Sequence, residues 1–185
     1  ATPDRRWDDL VDRLAVHDIG YLTGGSAWDG RASPYRSPAA APADRLVVDL
    51  ARAPQGRMHQ ALVALLFRHP ELAQDAHDAA NRLPRGDSIR LRIEASILAA
   101  AALREWWRFV LGIYLPGQQR IQADDLAIAL GVPPPTADYG RPCIEATAEL
   151  LRRGEPFPYN HERSWRDAAE HVLEELRAQA RRRSA

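Results

Sequence analysis

Two short stretches of the chain set histidine beside carboxylate at helical spacing. His69, Glu71, Asp75 and His77 form the first, and Asp167, His171, Glu174 and Glu175 the second. Residues three or four apart share one face of a helix. Two helices that each present His and carboxylate inward are how a bundle holds a metal ion. His69, His77, Asp167 and His171 are therefore the candidate metal ligands. The pairing is incomplete, since the two Glu-x-x-His segments of carboxylate-bridged bundles are absent and His171 stands among charges on a solvated flank. Nucleophilic catalysis has less to work with. Cys143, the one cysteine, falls in an apolar helix start, and no serine occupies a Gly-x-Ser-x-Gly elbow. No sequence motif implies a cofactor.

Aromatic side chains outside the periodic segments are the second group with chemical potential. Trp28 and Tyr35 lie in a Gly- and Pro-rich stretch, and Phe157 and Tyr159 lie in the tract EPFPYN. Rings carried by loops make the anchors of protein interfaces, because they bury much area for little lost side-chain freedom. Trp28, Tyr35, Phe157 and Tyr159 are accordingly the candidate interaction residues.

Two local resemblances extend the list. Gly24, Gly25 and Ser26, within YLTGGSAWDG, resemble the glycine turn of polymerase-β-like nucleotidyltransferases. That family also holds its metal ions on a nearby Asp-x-Asp pair, whereas the nearest acids here, Asp29, Asp44 and Asp49, make none. Residues 123–137, ADDLAIALGVPPPTA, are similar to the front half of a bacterial helix-turn-helix, with Ala127 and Gly131 at the close crossing and a recognition helix starting near Pro134. Gly140 and Pro142 would stop that helix after about two turns. Residues 120–145 also carry only Arg120 and Arg141 against Asp124, Asp125, Asp138 and Glu145, which is the wrong sign for a polyanion.

These groups have to be held by something, and the longest apolar-periodic run is Asp87 to Leu115, DSIRLRIEASILAAAALREWWRFVLGIYL. On a helix, Arg90, Glu94, Arg104, Glu105 and Arg108 make one narrow polar stripe, and apolar residues cover the rest of the circumference. Asp87 or Ser88 can cap its start, and Pro116 with Gly117 ends it. The block Ala99–Ala102 lets a neighbour approach closely. The divergent Trp106 and Trp107 should fill two separate core spaces. Within the stripe, the spacing pairs Arg90 with Glu94 and sets Arg104 and Arg108 around Glu105. No bilayer span fits, since the longest uncharged stretch in the run, Ala95–Leu103, is well short of about 20 residues.

Around this run the sequence predicts helices over 4–17, from Asp44, over 58–69, from Pro70, over 123–130, over 142–153 closed by Gly154, and from about Trp165 behind Ser164 and Asp167. Residues 18–43 read as one long irregular loop. No alternating strand pattern appears. The expected fold is all-α, an irregular bundle of about seven helices packed around one long central apolar helix at 87–115, and a single domain over 1–185.

Composition sets the outer limits. A hydrophobic fraction of 45% with 27% charged residues belongs to a folded globule. The chain has no lysine, so all 25 basic residues are arginine. That habit, with abundant Ala, Pro and Leu, is what GC-rich bacterial genes produce. Net charge is zero, with seven Arg against eight acids over 1–56 and nine against eight over 141–185. No basic face results, which argues against nucleic acid as the partner. One cysteine and a charged amphipathic N-terminal stretch point to a cytoplasmic protein. The function this leaves is a helical protein-interaction or accessory subunit that self-associates as a homodimer or homo-oligomer, without a legible active site. The alternatives are a metal-dependent or nucleotide-processing enzyme and a helix-turn-helix regulator.

Overall fold

The computed structural model describes residues 3–20 and 42–185, and among these every regular element is helical. The elements are α1 (Pro3–Val16), α2 (Ala43–Arg52), α3 (Gly56–Arg68), α4 (Ala73–Asn81), α5 (Ser88–Trp106), α6 (Arg108–Tyr114), α7 (Asp124–Leu130), α8 (Arg141–Arg152) and α9 (His161–Ser184). Short 3-10 turns stand at Pro70–Leu72 and Ala137–Gly140. Among the described residues nine α-helices thus stand where about seven were expected. The sequence-predicted loop at 18–43, with Trp28, Tyr35 and the glycine turn at 24–26, falls almost wholly outside the described residues. No helix among the described residues is long and apolar enough to cross a membrane.

Helix α5 lies at the centre: α2, α3, α4 and α8 all pack on it, while α9 lies chiefly along α3. Asp87 caps it by accepting from the Ile89 amide at 2.7 Å. From Ile93 to Glu105 every residue is buried. The alanine block allows the close approach it suggests, because Gly140, at the start of α8, rests directly on the backbone of Ala102. Buried apolar residues from Leu10 to Leu176 form one contiguous cluster.

The long central helix does not run unbroken to Leu115. Trp107 has φ −101° and ψ 14°, which divides the run into α5 and α6. Hydrogen bonding continues across the division: the Trp107 amide donates to Leu103 O at 2.9 Å, and the Leu111 amide donates to Trp107 O at 2.9 Å. What changes is direction. An apolar face all round a helix needs neighbours all round. Beyond Trp107 the chief neighbour is α9, and in α6 only Leu111 is buried. Trp106 is correspondingly 39% exposed and is not the core filler its type suggested.

Three arginines of this element show how the other helices are seated around it. Arg90 donates to Leu83 O just past α4, Arg92 to Ala51 O in the last turn of α2, and Arg104 to Phe67 O in the last turn of α3. The last carbonyls of a helix have no partner inside it and carry its partial negative charge. A guanidinium satisfies both the hydrogen bond and the charge.

Candidate functional site

The polar stripe of α5 faces two hollows. Toward its start, Arg90 Nε donates to Glu94 Oε1 at 2.7 Å, Nη1 to Leu83 O and Nη2 to Asn81 Oδ1. The pairing of Arg90 with Glu94 is the one its spacing indicated. It forms a wall of a hollow of about 560 Å³ that also takes in His77 and Arg85 and is closed by Leu126, Ala129 and Leu130 of α7.

Toward the other end, Arg104, Glu105 and Arg108 line a cleft of about 310 Å³ against residues 117–122 and the Pro135–Thr136 turn. Here the sequence-derived pairing is wrong. Arg104 is buried, donating through Nη1 to Phe67 O and through Nη2 to Gln118 Oε1 at 3.0 Å. Burial pulls its guanidinium down to about 10, so it remains charged at neutral pH. Glu105 takes Arg120 instead, Oε1 to Nε at 3.2 Å. Arg108 lies over the Phe109 and Tyr139 rings, 4.8 and 5.3 Å from their centroids. The partners chosen, a helix-end carbonyl and a distant loop arginine, leave no trace in helical spacing.

The rim of this cleft is strained. Asp138 and Tyr139 both adopt left-handed backbone, with φ of 43° and 53°. Non-glycine residues do so only when their surroundings hold them there. The constraint is Gly140, whose own φ of +81° and contact with Ala102 fix where the turn must end.

A second polar cluster anchors the 155–160 tract. His161 Nε2 meets Glu155 Oε2 at 2.9 Å, the Tyr159 ring stands edge-on to His161 at 4.8 Å, and the Tyr159 hydroxyl donates to Ser164 Oγ at 3.1 Å. Nearby, His59 Nε2 donates to Ala53 O at 2.7 Å, another carbonyl at the end of α2. Burial, with Arg92 second, pulls this imidazole down to about 4 and keeps it neutral. These contacts hold helix ends.

The four candidate metal ligands do not converge. Both ring nitrogens of His69 already face oxygen atoms, Glu71 Oε1 at 3.0 Å and His17 O at 2.7 Å, so neither points at an open ion site. His77 stands at the hollow beside Arg90, and His171 lies 3.8 Å from Glu174 on the same helix as Asp167. Among the described residues no three His, Cys, Asp or Glu side chains gather closely enough to hold a metal. The spacing made one face per helix, but α4 turns its face to α2 and α5 while α9 packs on α3.

Helix α7 and its left-handed stop at Gly131, φ 68°, are as the helix-turn-helix resemblance requires, but no α-helix begins near Pro134, only the short 3-10 turn at Ala137–Gly140. The following helix starts at Arg141 and buries Cys143, Ile144, Thr147, Ala148 and Leu151. Its outer arginines are engaged, Arg141 with Glu145 and Arg152 and Arg153 with Glu149. A reading face is missing there. The Cys143 thiol is buried and pushed up to about 11 by desolvation, so it is not poised as a nucleophile.

Of the candidate interaction residues, Phe157 is 79% exposed, whereas Tyr159 is half turned back onto the start of α9. Trp28 and Tyr35 lie outside the described residues. Further exposed apolar side chains went unpredicted: Phe109 and Ile113 of α6 are 69% and 73% exposed, and Trp106 at the end of α5 is exposed too. The signal for it was the excess of apolar residues around α6, more than one partner helix can cover. No protein-family model, no curated protein and no solved structure matches this chain.

Proposed function

We propose that this chain is a helical protein-interaction subunit, of accessory or regulatory type, that self-associates. The observation that carries the reading is the exposed stripe Trp106, Phe109 and Ile113. Phe109 and Ile113, four apart, share one face of α6, and Trp106 precedes them across the bend at Trp107. Trp106 is further backed by the Arg166 guanidinium, 5.2 Å from its ring centroid. Contiguous large apolar side chains are uncommon on the surface of a monomer, and aromatic anchors beside arginine are the usual centre of an interface. Phe157 offers a second apolar point, the one expected from the sequence.

Sedimentation equilibrium at micromolar concentration tests the reading. A mass above the 20.7 kDa of one chain is expected. Phe109→Ser with Ile113→Ser should return the protein to the single-chain mass with helical circular dichroism unchanged, because neither side chain is buried. Phe157→Ser alone tests the sequence-derived anchor. A wild-type mass that stays at 20.7 kDa refutes self-association.

A further inference from the structure

We propose that the cleft between the α5–α6 stripe and residues 117–122 binds a small organic anion, whose carboxylate or phosphate group is taken by Arg104 and Arg108. The inference starts from a charge imbalance. Three arginines line the cleft, Arg104, Arg108 and Arg120, against two acids, Glu105 and Asp124. The acids are accounted for. Glu105 is held by Arg120, and Asp124 occupies the first turn of α7, where a carboxylate offsets the positive end of the helix.

The other two cations are not. Arg104 is buried, yet no carboxylate lies within ion-pair distance of it among the described residues; both its partners are neutral oxygens. A guanidinium carries five N–H donors, of which one goes to Phe67 O and one to Gln118 Oε1. Sealed nitrogens without partners occur on Arg13 and Arg166 and not on Arg104. Its Nε has no partner among the described residues and is not sealed, and Arg104 lines the cleft, so this donor is free to meet a ligand there. Arg108 stands four residues on, also without a carboxylate partner among the described residues, held over two rings at the cleft mouth. Like charges at this spacing repel. An anion bridging two guanidinium groups removes the repulsion and gains charge-assisted hydrogen bonds.

The floor indicates the rest of the ligand. Ala101, Leu111, Leu115 and Ile121 give it an apolar base, and Gln118 and Gln122 add neutral polar groups. At about 310 Å³ the cleft is at the lower end of small-molecule sites. A bare inorganic ion would leave the apolar floor wet, so the occupant is an organic anion of modest size. The strained turn at Asp138 and Tyr139 has a use in this setting, since it brings the Tyr139 ring to Arg108.

Titration of the full chain with phenyl phosphate and with benzoate, followed by amide chemical shifts, tests the site; benzamide serves as the neutral control. At least one anion should give saturable shifts at Gln118–Gln122 while benzamide gives none, and which anion binds identifies the group recognised. Arg108→Gln should weaken that binding about tenfold, the loss of one charge-assisted hydrogen bond. Arg108 is exposed, so this variant keeps the fold, whereas Arg104 also seats the end of α3 and is less suited to the test. Three results each overturn the proposal: no saturable shift with either anion into the millimolar range, equal shifts with benzamide, or unchanged affinity in Arg108→Gln.

Discussion

Replacing Gly140 with alanine probes the closest approach in the fold. A Cβ built at this position would lie 2.3 Å from Ala102 O and 2.7 Å from both Ala102 C and Cα. The shortest of these is about 1 Å inside ordinary van der Waals contact, and the atoms it meets are backbone of the central helix, which cannot rotate away. Two costs follow. Alanine at the glycine φ of +81° is strained by about 1–2 kcal/mol. Forcing α8 and its preceding turn off α5 adds about 1–3 kcal/mol of overpacking. The expected loss is about 2–5 kcal/mol. Gly131 is the internal control, with a left-handed φ of +68° and nothing within 4 Å of its added Cβ, so Gly131→Ala should show the first cost alone. Urea unfolding followed by far-ultraviolet circular dichroism measures both variants, provided the denaturant slope is unchanged. If the two substitutions destabilise equally, within about 0.5 kcal/mol, α8 does not rest on Ala102 and the packing described here is wrong.

The buried pair on the same helix makes a second test. Glu94 and Arg90 have side chains only 8% and 19% exposed, so Glu94→Gln strands a guanidinium and should cost about 3 kcal/mol, while Arg90→Met with Glu94→Leu should recover most of that; a loss below about 1 kcal/mol for Glu94→Gln would place the pair in solvent. His59 sets a pH dependence. Its folded value of about 4 lies below the ordinary 6.5, so between these values the unfolded chain binds a proton that the folded chain does not. Stability should therefore fall as pH drops through that window, by about 1.4 kcal/mol per unit and at most about 3 kcal/mol. His17 acts in the same direction, again through burial. Urea midpoints from pH 7 to 4.5 should show the slope, and His59→Gln should flatten it; an equal slope in both proteins would assign the effect elsewhere.

Much of the fold was legible because its signals are local. The Asp87 cap and the Gly131 stop depend on residues within one helical turn, and α2, α3, α7 and α8 fall close to where their apolar spacing puts them. Local signals also mislead when two compete. Ser164 and Asp167 have the spacing of a cap, but the last helix begins a turn earlier, where Asn160 Oδ1 accepts from the Arg163 amide at 3.0 Å. The candidate site was less legible. The stripe residues were identifiable from their period, yet what Arg104 and Glu105 would meet lay in carbonyls and loop side chains distant along the chain. The candidate metal ligands failed for the same reason, because spacing arranges a face and only packing decides what it faces.

The absence of lysine bears on this division. In the central helix Arg90, Arg92 and Arg104 each reach a carbonyl at the end of a different helix, and Arg90 and Arg104 hold a second side chain with the same guanidinium. A lysine ammonium is a strongly hydrated point charge and could not spread its donors over a rigid fork. Each clamp fixes where one helix stops against α5, and so fixes the spaces left between helices. The cleft at Arg104 is one such space: Arg104 seats the end of α3, and among the described residues no carboxylate lies within ion-pair distance of it, Glu71 and Glu105 acting on it only from farther away. Placing the acids of this neutral chain elsewhere on its surface leaves the imbalance local. The arginine that seats the end of α3 is thus the same one that lines the cleft for which an anion is proposed.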